Sequence, residues 1–365
     1  RAGARASELL ISVQGRRVSF FPETRADFVR WSDAFRRAAS RSVDDFYAIG
    51  QVLGEGAFAE VRAARDRETG EQFAIKIIKK REYDPHEMEF ALREMAIMKS
   101  IKHPNIVATY DIFNSRVSLH IVMEFMQGGE LFDVIADAGH FTEKNASQVA
   151  RGIISGVAYL HEHHIVHRDM KPENVLCKTR DWPLEVKLAD FGLANFINDD
   201  DPDDPNADKI TSVIGTPGYM APEVIKRERY GPAVDMWAAG VILFIMLAGK
   251  MPFYGRDDGE CQKRIVAGKY EFRDKEWRHI SDSAKSLVRA LLQVDPDKRL
   301  TADGALAHPW LDPDTVADKK IENDFSGIHS TRRKFKKAVN AALTIQRMRD
   351  MISNLAEASA SGEVG

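Results

Sequence analysis

The sequence predicts an α+β fold in which a small strand-rich lobe precedes a large helical lobe. Residues 46–125 contain short alternating apolar runs separated by turns and interrupted by one helical stretch. Over residues 126–311, helical spacing of apolar residues dominates, with Gly and Pro turns between the helices. A basic amphipathic segment follows and predicts a helical tail.

Composition limits the classes of function. The chain has 365 residues, of which 44% are hydrophobic and 29% charged, so we expect a globular protein. A net charge of −3 gives no bulk attraction to nucleic acid, which we exclude as a partner. Two cysteines predict a reducing, cytoplasmic location. The chain starts at Arg1 rather than Met, so we expect a fragment.

The stretch LGEGAFAEV, residues 53–61, separates two apolar runs with a glycine-containing turn. A dinucleotide-binding fingerprint would require a helix after the glycines, but here a strand follows. From this stretch alone, a plain hairpin and a phosphate-binding loop both remain open.

The next strand carries Lys76 inside the apolar run FAIKII. Strand lysines commonly point to solvent. A buried ammonium would instead need a carboxylate, and Glu94 in the helix predicted over residues 85–101 can supply one.

Two further motifs carry chemistry, HRDMKPEN at 167–174 and DFG at 190–192. In this pattern Asp169 can accept a hydroxyl proton, while Asn174 and Asp190 offer oxygen ligands to Mg²⁺.

With these motifs in this order, residues 46–311 resemble a eukaryotic-type protein kinase. The resemblance implies transfer of the γ-phosphoryl group of ATP. It makes Lys76 the ligand of the α- and β-phosphates with Glu94 as its partner, and Asp169 the catalytic base. Lys171 would stabilise the transferring phosphoryl group.

The resemblance also implies an ATP site between the glycine turn, two apolar walls and a hinge at 124–126. Its members are Leu53, Gly54, Glu55, Gly56, Ala57, Phe58, Ala59, Val61, Ala74, Lys76, Met123, Glu124, Met126, Glu130 and Leu176. Ala59 stands where a third glycine is common, and a small side chain should fit there.

The sequence APE at 221–223 resembles the end of an activation segment and favours protein substrates over small molecules. Arg299 is the expected buried partner of Glu223, and residues 235–240 resemble the central helix of the large lobe. Lys171 and the GTPGY sequence at 215–219 indicate a serine/threonine kinase, with Thr216 near Asp169. A catalytically inactive scaffold would be marked by loss of Lys76, Asp169 or Asp190, and none is lost.

Substrate preference and activation follow from the same resemblance. Glu130, Glu173 and Thr216 would line the substrate groove, and the two acids favour a basic residue about three positions before the acceptor. Five aspartates over residues 198–206 form either a solvated loop or a partner of Arg168. Thr211 and Ser212 are candidate sites for an upstream kinase.

Residues 332–349 contain seven basic and no acidic residues. The segment is either a surface helix docked on the kinase or, as we prefer, part of a calmodulin target over 332–355. Its apolar contacts would be Phe335, Val339, Leu343 and Met348.

With the HPW sequence at 308–310, this tail resembles that of calcium/calmodulin-dependent protein kinases. Residues 312–334 would then cross the substrate groove as an autoinhibitor, and residues 356–365 would be disordered. The chain shows no EF-hand loop, so Ca²⁺/calmodulin would be a separate chain. A calmodulin-independent relative with a structural tail is the alternative.

Residues 1–43 show two strand patterns and a helix, which resemble the end of a pleckstrin-homology domain. If a complete domain precedes this fragment, lipid or protein contact and membrane recruitment are expected. A docked or disordered extension is the alternative.

Overall fold

A computed structural model describes residues 9–13, 16–40, 42–55, 59–80, 95, 97–115, 117–138, 141–196, 216–323 and 325. It has the predicted α+β architecture of a strand-rich lobe and a helical lobe. Among these residues, no helix combines the length and apolar character needed to cross a bilayer.

The N-terminal segment forms the two strands and the helix that its pattern predicts. Strands β1, Leu9–Val13, and β2, Arg16–Phe20, pair antiparallel, and helix α1 spans Arg25–Ser40. The ring of Phe35 lies 5.7 Å from that of Trp31 and 5.9 Å from that of Phe20, measured between centroids. The helix therefore packs on the hairpin through aromatic contacts.

The small lobe is a five-stranded antiparallel sheet in the order β3-β4-β5-β7-β6. Its strands are β3 Tyr47–Glu55, β4 Glu60–Asp66, β5 Gln72–Lys79, β6 Thr109–Asn114 and β7 Ser118–Glu124, preceded by the short helix α2, Val43–Phe46. Side chains alternate across β5, so Phe73 and Ile75 join one core cluster. Ala74 and Lys76 face the opposite side, toward the cleft.

The large lobe contains eight helices among the residues described and two small sheets. The helices are α3 Leu131–Asp137, α4 Glu143–Glu162, α5 Pro222–Ile225, α6 Ala233–Ala248, α7 Asp258–Val266, α8 Asp274–Trp277, α9 Asp282–Leu291 and α10 Ala302–Leu306. The strands are β8 Gly129–Glu130, β9 Ile165–Val166, β10 Val175–Cys177, β11 Val186–Leu188 and β12 Asn195–Phe196. Helix α6 is buried from Val234 to its end at Ala248, which explains its continuous apolar sequence.

A buried ion pair ties the activation-segment end to the base of the large lobe, as predicted. The Arg299 guanidinium donates to both carboxylate oxygens of Glu223, at 2.6 and 3.0 Å. It also donates to the carbonyls of Gln293, Ala233 and Val294. Both charged groups are almost inaccessible to solvent, so their mutual hydrogen bonds offset the cost of burial.

Residues 312–323 and 325 form a strap on the large lobe, whereas the predicted course of 312–334 across the substrate groove stays a prediction. The backbone of 319–321 pairs with Phe141–Glu143. Asn323 donates to the carbonyls of Leu247 and Glu276, and the ring of Phe325 lies 5.7 Å from that of Phe141.

The position of the strap follows from the geometry of α4. This helix has 20 residues, so its ends are about 30 Å apart. The strap pairs beside its N-terminal end, whereas His161 near its C-terminal end contacts Asp235 beneath the catalytic loop. The described part of the predicted autoinhibitory segment therefore lies away from the groove.

We expect Arg299→Met to lower the free energy of unfolding by about 3 to 5 kcal/mol, because Glu223 would remain buried without its partner. Urea denaturation followed by circular dichroism measures this loss. As a control, Lys298→Met removes an exposed ion pair with Asp295 and should cost less than about 1 kcal/mol. Equal losses in the two variants would contradict the assignment.

Candidate active site

The catalytic loop is held by one buried carboxylate, that of Asp235 in the first turn of α6. Asp235 accepts hydrogen bonds from the backbone N–H groups of His167 and Arg168, both at 2.9 Å, and contacts His161 Nε2 at 3.0 Å. Burial alone would raise the pKa of Asp235, but these hydrogen bonds and the histidines outweigh it and lower the pKa. The loop can therefore hold Arg168 at φ 64°, in the left-handed region.

This turn places three polar side chains around Asp169, which is 8% exposed. Its Oδ1 accepts from the Thr216 hydroxyl at 2.8 Å, and its Oδ2 accepts from Lys171 Nζ at 2.5 Å. Asn174 Nδ2 donates to the Asp169 carbonyl at 2.8 Å. The structure thus brings together four residues that are up to 47 positions apart in the chain.

The amine of Lys171 stays charged in this setting. Burial favours the neutral amine, but the charge and the hydrogen bond of Asp169 outweigh burial and raise the pKa of Lys171. A fixed cation therefore lies between the predicted base and Thr216, to which Lys171 Nζ also donates at 3.3 Å.

A second ion pair crosses the cleft between the lobes. Lys76 Nζ on β5 lies 3.0 Å from Asp190 Oδ1, in the motif that follows β11. The charge of Lys76 lowers the pKa of Asp190 well below its ordinary range, against the opposing effect of burial. Asp190 is therefore ionised, and its backbone φ of 63° again lies in the left-handed region.

The donor set fits a magnesium site. Asp190 offers an ionised carboxylate. Because Asn174 uses its amide nitrogen on Asp169, its amide oxygen is the atom left to ligate a cation. Oxygen donors of this kind are those that Mg²⁺ prefers, and Asn174 and Asp190 are the residues that would hold it.

Strand pairing brings several residues of the predicted ATP site next to each other. Val61 lies opposite Lys76 on β4 and β5, Ala74 opposite Met123, and Leu176 opposite Glu130. A Cβ added to Gly54 would meet no atom of the described residues within 4 Å, so their packing leaves space beside this glycine that a phosphate group could use. Ala59 is partly buried against the core, which agrees with the expected small side chain.

Other members of the predicted sites have clear positions. Leu53 and Glu55 lie on β3, and Glu124 ends β7 before Met126. Glu130 immediately precedes α3, and Glu173 lies in the 3₁₀ turn Pro172–Asn174.

Several predicted residues lie outside the described part of the chain. They are Glu94, Gly56, Ala57, Phe58, Thr211, Ser212, Phe335, Val339, Leu343 and Met348, together with the acidic run at 198–206 and the segments 332–355 and 356–365. Their proposed roles stay predictions.

Sequence reasoning did not assign roles to His161, Asp235 and Lys187. Asp235 was placed on the central helix without its function of holding the catalytic loop. A lone carboxylate at the start of an apolar helix is the signal, because a buried charge requires donors. His161 and Lys187 gave no comparable signal, since their partners are distant in sequence.

Comparison with known proteins places this site in a family context. A family model described as protein kinase domain matches residues 47–311. A probable myosin light chain kinase of Dictyostelium discoideum is 38% identical over 86% of this chain and 78% of its own length. Human calcium/calmodulin-dependent protein kinase type 1B is 38% identical over 89% of this chain and 93% of its own length.

A third relative, the mouse serine/threonine-protein kinase DCLK3, is 42% identical over 75% of this chain but only 34% of its own length. The family match begins at residue 47, so it gives no support to the pleckstrin-homology resemblance of residues 1–43.

We expect Asp169→Asn to lower kcat for peptide phosphorylation by at least about 100-fold, because an amide cannot accept the hydroxyl proton. The Michaelis constant for ATP should change little, since the loop remains held by Asp235. Steady-state kinetics with varied ATP measures both values. Asp181→Asn, at an exposed position, is the control and should keep full activity. A kcat of Asp169→Asn equal to that of this control would refute the role.

Proposed function

The chain belongs to the protein kinase family as a serine/threonine kinase that uses ATP and Mg²⁺, and on this premise we propose its catalytic residues, its substrate motif and its regulation. In this proposal it phosphorylates proteins that carry a basic residue about three positions before the acceptor. Its C-terminal segment inhibits it, and Ca²⁺/calmodulin relieves the inhibition.

The observation that carries the catalytic proposal is the convergence of two charge clusters on one cleft. Asp169, with Lys171 and Thr216, forms one cluster, and the Lys76–Asp190 pair forms the other. Asp169 accepts the proton of the substrate hydroxyl, while Lys76 and Lys171 offer positive charge to the phosphates. Bound Mg²⁺ supplies further charge neutralisation, and Glu94 is the proposed partner of Lys76.

The substrate motif is proposed from two carboxylates beside this site. Glu173 is adjacent in sequence to Asn174, and its charge contributes to the raised pKa values of both Lys171 and Tyr219. Glu130 lies at the end of the hinge, opposite Leu176. An arginine side chain of the substrate would form charge-assisted hydrogen bonds with these two carboxylates.

We expect Glu173→Gln to lower the preference for arginine over alanine at the third position before the acceptor by about 10-fold, the scale of one charged hydrogen bond. The ratio of kcat/KM for two matched peptides measures this preference. Glu185→Gln removes an exposed acid that pairs with Lys178 and serves as the control. An unchanged ratio in Glu173→Gln would remove Glu173 from the motif.

Calmodulin regulation is proposed from the tail sequence. The segment 332–349 combines basic charge with apolar residues at helical spacing, which is the pattern of a helix that calmodulin captures. The similarity to the human calmodulin-dependent kinase extends beyond residues 47–311 and supports the proposal. Because the strap docks elsewhere on the large lobe, the inhibitory contact is assigned to residues after Phe325.

Truncation after Phe325 separates the strap from the proposed inhibitor. We expect the truncated chain to be active without calmodulin, whereas the full chain should need Ca²⁺/calmodulin for a stimulation of about 10-fold or more, the range of a strong coupling between sites. Peptide phosphorylation with and without Ca²⁺/calmodulin measures this.

Two variants of the full chain control the calmodulin test. Phe335→Ala should weaken stimulation, since it removes an apolar contact of the helix, whereas Val364→Ala in the distal tail should not. Equal activity of the full chain with and without calmodulin would favour a calmodulin-independent kinase with a structural tail.

A further inference from the structure

A partly buried ion pair links the hinge to the strand that leads to Asp190. Glu124 Oε2, at the end of β7, lies 2.7 Å from Lys187 Nζ, in the middle of β11. The two side chains are only 13% and 12% exposed. At this distance and burial, the pair is shielded from the screening that weakens surface ion pairs.

Glu124 is held by a further element. The backbone N–H of Glu124 donates to the Ala108 carbonyl at 2.9 Å, and the Ala108 N–H approaches Glu124 Oε2 at 3.4 Å. The Glu124 carboxylate therefore contacts two elements at once, the residue before β6 and Lys187 on β11.

Lys187 is held just as closely. Its flanking residues Val186 and Leu188 are buried, and Leu188 exchanges backbone hydrogen bonds with Asn105 and Val107. Strand β10 pairs with β11 so that Leu176 lies opposite Lys187. Strand β11, which carries Lys187, therefore cannot shift without moving Leu176, a residue of the proposed ATP site.

The pair therefore lies beside the hinge and is connected along β11 to Asp190. The hinge backbone at 124–126 is proposed to bind the adenine edge, and Asp190, three residues after Lys187, is proposed to bind the metal at the phosphates. From this arrangement we propose that Lys187 is a positioning residue for ATP, which sets the hinge backbone for adenine through Glu124. This inference rests on the proposed function, in which 124–126 is the adenine-binding edge.

The expected effect falls on nucleotide affinity and on base selectivity. Lys187→Met leaves the Glu124 carboxylate without its cation, so the hinge should relax. We expect the Michaelis constant for ATP to rise about 10-fold and kcat to change by less than about 3-fold, because a contact remote from the reacting atoms acts mainly on binding. The ratio of kcat/KM for ATP over GTP should fall, since the hinge carbonyl that favours the adenine amino group is displaced.

Three variants make this test specific. Lys187→Arg retains the charge and should keep the Michaelis constant within about 2-fold of wild type. Glu124→Gln should resemble Lys187→Met, and the double variant should be no worse than either single one, because both remove the same interaction. Lys178→Met, which removes an exposed pair on the same hairpin, should leave all values unchanged.

The outcomes separate this inference from the proposed function. If the wild-type chain phosphorylates peptides but Lys187→Met keeps its Michaelis constant and its ATP-to-GTP ratio, the positioning role is wrong. The same holds if Lys187→Arg shows the full loss, or if the effects of the single variants multiply in the double one. A wild-type chain that binds no ATP would overturn the proposed function, and this inference with it.

Discussion

The geometry of the site depends on the Asp235 carboxylate. A catalytic loop with a residue at φ 64° is strained, and it persists only where surrounding contacts impose it. Asp235 lies on a helix that is buried from Val234 onward, and it imposes the turn by accepting hydrogen bonds from the backbone N–H groups of two consecutive loop residues. Because α6 cannot rotate in a close-packed core, the carboxylate keeps its position and the loop keeps its turn. The side chains of Lys171 and Asn174 then meet at the Asp169 carboxylate.

The two lobes contribute unequally to this site. The large lobe supplies the proposed base, its neighbouring lysine and the metal donors as one rigid cluster. The small lobe supplies Lys76 and the hinge through a twisted sheet with register shifts between Ile49 and Gly54. Within the described part of the chain, the ion pairs of Lys76 with Asp190 and of Glu124 with Lys187 connect them. One lies near the proposed phosphate end and the other beside the hinge, so the cleft is bridged at both ends of the nucleotide site.

Elements were predicted correctly from the sequence where their local pattern of apolar residues matches their burial in the folded protein. Strand β5 and helix α6 follow from their continuous apolar runs, and Glu223 with Arg299 follows from the family pattern. The short helix α2 was missed, because Val43–Phe46 is a single turn whose Ser42 and Asp45 cap each other locally. The docking of the strap on the large lobe was not predicted, since its apolar residues Val316, Ile321 and Phe325 have no helical or strand period. Only contacts with distant residues determine where it lies.

The docked strap remains compatible with autoinhibition by the chain that follows it. Ile321 is 3% exposed and Asn323 bridges two carbonyls of the large lobe, so this part is an integral piece of the domain. From Phe325 to Phe335 there are ten residues, which can span at most about 35 Å when extended. That reach exceeds the roughly 30 Å length of α4, the helix that separates the strap from the catalytic loop. A segment tethered at Phe325 can therefore approach the substrate groove without any movement of the strap, so the proposed switch requires no rearrangement of the docked residues.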